Sequence, residues 1–163
     1  MKCPTAELLR VHLRWMTEKD LEAVYALEQS ANEKPWNAAE FVQILSHPHC
    51  AGMVVEYDSQ IIGFIVYELQ EFAFRIWNMA VLPEFRRQGV GSQMIARLAC
   101  RLASYSRKQI RITVRESNLS AQLFFRALGF QAVSIQRAAS EKGEDTYLMQ
   151  YRHRTRSYTT QMI

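Results

Sequence analysis

Cysteine is scarce in this chain. Cys3, Cys50 and Cys100 are odd in number and far apart, and none forms a Cys-x-x-Cys pair. That excludes a disulfide framework and points to reduced thiols. Metal ligands are also short: His47 and His49 flank Pro48 with no other His or Cys near them. Zinc takes three or four protein ligands, so no metal is expected. No apolar run approaches the roughly 20 residues that span a bilayer. Met1 to Arg10 lacks the apolar stretch of a secretory signal, so a cytoplasmic location is the expectation. Two phosphate-binding signatures are missing as well, the Gly-Lys-Ser/Thr of P-loops and the three-glycine G-x-G-x-x-G fingerprint. No internal repeat or low-complexity linker is visible. The net charge of +4 is modest. Part of it gathers in residues 152–163, where Arg152, His153, Arg154 and Arg156 read as a solvated basic tail. A nucleic-acid arm would want more interleaved aromatics than Tyr151 and Tyr158.

What is present describes one soluble domain. A chain of 163 residues with 48% hydrophobic and 22% charged residues can bury a real core. Residues 1–10 read as a short N-terminal segment, 11–151 as the domain and 152–163 as the tail. Val11 to Trp15 is a first strand. Thr17 caps a helix with Leu21, Val24 and Tyr25 on one face. Asn37-Ala38-Ala39-Glu40 is a capping box before a second helix, with Phe41, Ile44 and Leu45 inward. Ala51–Tyr57 and Ile61–Leu69 form a hairpin about Asp58-Ser59-Gln60, and Phe72–Val81 is a third long strand ended by Pro83. The helix from Gly89 to about Tyr105 buries Val90, Met94, Ile95, Leu98 and Leu102 and turns Arg97 and Arg101 outward. A strand at Ile110–Val114 precedes a helix at Asn118–Leu128, with Leu119, Leu123, Phe124 and Ala127 on one face and Gly129 as its C-terminal stop. Phe130–Gln136 and Asp145–Tyr151 are closing strands around the turn-like Ser140-Glu141-Lys142-Gly143. The order β-α-α-β-β-β-α-β-α-β-β argues for an α/β (mixed α+β) fold, a sheet of about seven strands with helices on both faces.

The most informative stretch is Val81-Leu82-Pro83-Glu84-Phe85-Arg86-Arg87-Gln88-Gly89-Val90-Gly91. A strand ends, a basic turn follows, and an amphipathic helix begins at once. Unpaired amides and the helix dipole at such a junction both favour a pyrophosphate. Arg-x-x-Gly-x-Gly resembles the acetyl-CoA loop of the GNAT acetyltransferases, and the element order is that of their fold. Within that family the chain is most similar to the Rim-type ribosomal-protein alanine N-acetyltransferases. The likeness rests on Pro35-Trp36, Asn78-Met79-Ala80-Val81-Leu82-Pro83, Val114-Arg115-Glu116-Ser117-Asn118, Leu128-Gly129-Phe130 and Glu144-Asp145.

The resemblance implies acetyl-CoA as co-substrate and a primary amine as acceptor, with a protein N-terminus favoured. Met79, Ala80 and Val81 would present main-chain groups to the pantetheine and thioester. Arg86, Arg87, Gln88, Gly89, Val90, Gly91 and Ser92 would cradle the diphosphate. Asn118 would bond the pantetheine arm, beside its equally good reading as a helix cap, and Phe125 would flank the cofactor. Trp36 and Trp77 are candidates for the acceptor groove.

Two positions depart from the family pattern. A proton-accepting Glu and a proton-donating Tyr are replaced by Thr113 and Phe125. A placed acid or base is worth about a hundred- to ten-thousandfold, so that pair cannot be carried over. Substitutes in the sequence are Glu116, Glu68 with its neighbour Tyr67, and Tyr147. A small-molecule or polyamine acetyltransferase and a non-catalytic acetyl-CoA-binding protein are the alternatives that the departures leave open.

Overall fold

The computed structural model describes residues 8–138 and 143–153. Seven strands form one sheet in the order β1-β2-β3-β4-β5-β7-β6. The strands are β1 His12–Trp15, β2 Cys50–Tyr57, β3 Gln60–Leu69, β4 Ala73–Val81, β5 Gln109–Arg115, β6 Gln131–Gln136 and β7 Thr146–Arg152. The helices are α1 Leu21–Ala31, α2 Ala38–Leu45, α3 Val90–Ser104 and α4 Leu119–Ala127, with short 3-10 turns at Glu18–Asp20 and Pro83–Phe85. The expected succession of strands and helices is therefore present. Among the described strands, β4 and β5 pair in parallel and the remaining neighbours are antiparallel.

The sheet separates two cores. Alternation along β3 sends Ile65 and Tyr67 to the face covered by α3, and Phe64 and Val66 to the face covered by α1 and α2. On α3 the five apolar side chains read from the sequence are all buried, each contributing about 2 kcal/mol by removal from water. Both capping residues of α2 act as expected. The Asn37 side chain accepts from the Glu40 amide while the Glu40 carboxylate accepts from the Asn37 amide. The β2–β3 hairpin turns at Asp58 and Ser59, both with positive φ of 47° and 63°. Two left-handed residues in succession match the twist of the flanking strands.

Three local expectations are corrected. On α1, Tyr25 is exposed, and the buried face is Val24, Leu27 and Glu28. The inward stripe runs i, i+3, i+4 from Val24, with Leu27 in the place assumed for Tyr25. On α4, Leu119 and Leu123 are 61% and 56% exposed while Phe125 is buried. This nine-residue helix at the sheet's end covers only a narrow strip, and the aromatic pair Phe124–Phe125 claims it by packing on Phe130. Arg101 does not point freely outward; its guanidinium lies 4.3 Å from the Trp15 ring centroid, where flat cation and ring attract. The turn expected at Ser140–Gly143 falls mostly outside the described residues.

Candidate functional site

β4 and β5 begin as partners and then part. Their pairing runs from Ala73↔Gln109 to Ile76↔Ile112 and stops there. β4 continues to Val81, bonded to β3 alone. Beyond Ile76, the main-chain groups of β4 that face β5 thus have no strand partner. The cause is local. Val66 faces Asn78 and Tyr67 faces Ile76, so Trp77 is an extra residue on β4. Such a bulge bends and twists the strand that carries it. The wedge opens into a cavity of about 1330 Å³ that runs from the α1–α2 connection to the start of α3.

The start of α3 lines this cavity with backbone donors that could hold an anion. The first residue of α3 follows Gly89, whose φ is 78°, and no side chain among the described residues caps the helix. The first-turn amides are left for an outside acceptor. Arg87, with φ of 60°, is exposed and has no side-chain partner among the described residues. Arg86 differs: its Nε donates to Val81 O at 3.1 Å and its Nη2 to Ala31 O at 2.8 Å. That guanidinium ties the end of β4 to the C-terminus of α1. Gln88 does not line the cavity; its side-chain amide donates to Glu84 O and its carbonyl accepts from Leu9 N. The two glycines have packing reasons beyond access to a ligand. A Cβ on Gly89 would sit 2.3 Å from Leu8, and one on Gly91 would sit 2.9 Å from the Phe124 ring.

The remaining cofactor candidates do meet in this cavity. Met79, Ala80 and Val81 line it from β4, and Val90, Gly91 and Ser92 from α3. Asn118 lines it from the start of α4. Its Oδ1 accepts from the Ala121 amide at 3.0 Å, so it does cap the helix, while its Nδ2 has no partner among the described residues. Phe125 also borders the cavity but is only 2% exposed, held edge-on between Phe124 and Phe130. Thr113 lies on β5 just past the point where the strands part and faces the cavity.

None of the proposed substitutes for the missing acid and base lines this cavity. Glu116 is exposed on the turn after β5. Glu68 accepts from Trp77 Nε1 at 3.1 Å and from Gln70 Nε2 at 3.2 Å, which fixes the indole. Tyr67 is fully buried, burial pushes its phenol pKa up against the opposing pull of nearby Arg101, and among the described residues its hydroxyl makes no hydrogen bond. Tyr147 borders a separate cavity of about 610 Å³ between α4, β6 and β7.

Sequence reading missed Glu28. It borders the large cavity, yet its residue exposure is 1%. Its Oε1 accepts from the Trp36 amide and from Asn78 Nδ2, both at 2.9 Å, and its Oε2 accepts from Asn32 Nδ2. A signal was there: Glu28 stands seven residues after Leu21 and four after Val24, inside the apolar stripe of α1. A carboxylate at such a position is costly unless hydrogen-bonded, and so needs a reason. Trp36 and Trp77 line the same end of the cavity. Among the described residues there is no cluster of metal-ligating side chains, and no helix is long and apolar enough to cross a membrane.

Similar proteins share this architecture. A ribosomal-protein bS18-alanine N-acetyltransferase of Haemophilus influenzae is 28% identical over 118 residues, 72% of this chain and 80% of that one. The ribosomal-protein-S18-alanine N-acetyltransferase from Escherichia coli superposes with a TM-score of 0.80 at 22% identity, covering 94% of this chain and 100% of that one. A GNAT acetyltransferase from Elizabethkingia anophelis, solved with acetyl-CoA bound, gives a TM-score of 0.72 at 19% identity over 87% and 97% of the two chains. Residues 21–130, which include α1, the parting strands and the start of α3, match the acetyltransferase (GNAT) family. The chain is a member of that family of acetyl-CoA-dependent acetyltransferases.

Proposed function

We propose that the protein transfers acetyl from acetyl-CoA to the α-amine of a peptide or protein N-terminus. The observation that carries this reading is the continuity of the wedge between β4 and β5 with the uncapped start of α3. The diphosphate would sit on the amides of Gly89 to Ser92 beside Arg87, where the helix dipole favours negative charge. The pantetheine arm would extend along Val81, Ala80 and Met79 as an added strand does, bonded by their free main-chain groups. From Val81 back to Trp77 is about 13 Å of extended chain. The thioester then lies near the bulge, and the acceptor enters between Trp36 and Trp77.

The choice of an α-amine follows from chemistry. Attack on the thioester carbonyl needs a neutral nitrogen. About a tenth of an α-amine is neutral at pH 7, against about one in two thousand of a lysine side chain. Thr113 cannot take a proton at neutral pH, so the site relies on the amine's own neutral fraction, on proximity and on stabilisation of the oxyanion by a β4 amide. The Haemophilus influenzae and Escherichia coli relatives act on an alanine nitrogen of a ribosomal protein, which supports the same acceptor class.

The test is transfer from acetyl-CoA to three acceptors: a peptide with a free N-terminus, the same peptide with a blocked N-terminus and an internal lysine, and spermidine. The free N-terminus should be acetylated and the other two should not. Acetylation confined to spermidine would move the assignment to polyamines. Tight acetyl-CoA binding without transfer to any acceptor would make the protein a non-catalytic binder.

A further inference from the structure

Glu28 joins three separate pieces of the cavity wall. It stands on α1. Through the Trp36 amide and Asn32 it grips the connection between α1 and α2, and through Asn78 it grips β4 next to the bulge. Asn78 and Glu28 are 50 residues apart, so this is a tertiary clamp and not helix-local capping. A carboxylate can accept about four hydrogen bonds, and three of these are used. With both oxygens engaged by protein donors, Glu28 is badly placed to accept a further proton from an incoming group. Its worth lies in what it holds. Trp36 forms the acceptor side of the cavity, and the Trp77–Asn78 bulge is where the unpaired β4 amides begin.

We propose that Glu28 is a positioning residue for the acceptor, one that fixes the Asn32–Trp36 connection against the bulged strand so that nucleophile and thioester meet in register. This rests on the reading of the cavity as an acetyl-transfer site. The diphosphate end has its own supports, the Leu9–Gln88 main-chain bond and the Arg86 brace. Loss of Glu28 should therefore spare cofactor binding and harm acceptor use.

The substitutions Glu28→Ala and Glu28→Gln separate the roles. An amide at this position keeps one oxygen for Trp36 and Asn78. Asn32 can turn its own amide over to accept from the new NH2 group, so the clamp survives. With Glu28→Ala, three donors lose their acceptor, and the KM for an N-terminal peptide should rise by about tenfold or more, as expected for hydrogen bonds to a charged group. The acetyl-CoA Kd by calorimetry should change by less than about twofold, since an error in acceptor placement leaves cofactor binding untouched. Glu28→Gln should stay within about threefold of the parent and keep the same acidic limb in its pH–rate profile, as no proton passes through this group. Equal damage from both substitutions with a lost acidic limb would make Glu28 the base and overturn the proposal. So would an unchanged acceptor KM in Glu28→Ala. If Glu28→Ala fails to fold, Asn78→Ala removes one strut and should raise the acceptor KM in the same direction. Hydrogen exchange at the Trp36 amide decides the clamp without any turnover. It should accelerate in Glu28→Ala and not in Glu28→Gln, even if the parent protein acetylates no peptide; unchanged exchange in Glu28→Ala would refute the clamp itself.

Discussion

Arg86 and Arg87 are neighbours in sequence and opposites in use. The first spends its guanidinium on two carbonyls that close α1 against β4. The second stands exposed beside the uncapped start of α3. Arg87→Ala should weaken acetyl-CoA binding about tenfold, by loss of a charge-assisted contact to phosphate, and should flatten the salt dependence of the Kd. Arg86→Ala should lower stability by about 1 kcal/mol and change binding less. Calorimetry and denaturant titration of both variants check this, and the reverse ranking would show that the roles are exchanged. The motif was legible in the sequence because Arg-x-x-Gly-x-Gly is a local pattern. Which arginine is free was not, because Ala31 O reaches Arg86 only through the tertiary fold. Glu28 was overlooked for a related reason. Its partners Trp36 and Asn78 lie eight and 50 residues away, so only its place in the apolar stripe of α1 could have flagged it.

Among the elements, α3 could be read almost to the residue, since its five inward side chains repeat at helical spacing from Val90 to Leu102. α4 could not, because a nine-residue helix has two apolar stripes and only packing on Phe130 chooses between them. At the other end of the sheet, a small ionic cluster joins β1 and β2 to the turn before α1. The Arg14 guanidinium makes two bonds to Asp20, at 2.8 Å each, and also contacts Glu56 at 2.7 Å. Its hydrogen bonds hold the Asp20 carboxyl well below the usual carboxylate range, with the Thr17 amide and hydroxyl assisting against the cost of burial. A depressed folded pKa stabilises the protein above the unfolded value of about 3.9 and ceases to do so as pH falls through the folded one. Arg14→Met should cost about 2 kcal/mol near pH 7, below the figure for a fully buried pair because the Arg14 side chain is 31% exposed. The gap between the two proteins should narrow as pH drops below about 4. Denaturant unfolding at stepped pH measures it, and a gap that widens in acid would show that Asp20 is not the group being held.

For the molecule as a whole, the order of strands and helices followed from periodicity, caps and the Pro83 stop. Register did not. No local pattern states that β5 leaves β4 after Ile76, or that Trp77 is the extra residue that bends the strand away. Yet that departure opens the cavity, and the cavity joins the uncapped start of α3 to the residues around Glu28. The molecule also has a second recess beside α4 and β6, lined by Gly129, Phe130 and Tyr147, which gives the placement of the cofactor a competitor. Titration of the 15N-labelled protein with acetyl-CoA, followed amide by amide, separates the two. Shifts should concentrate at Gly89, Val90, Gly91 and Ser92 and along Met79 to Val81, with Gln131 and Ala132 still. Shifts gathered at Gly129 to Ala132, with the first turn of α3 unmoved, would contradict the placement of the coenzyme between the parted strands.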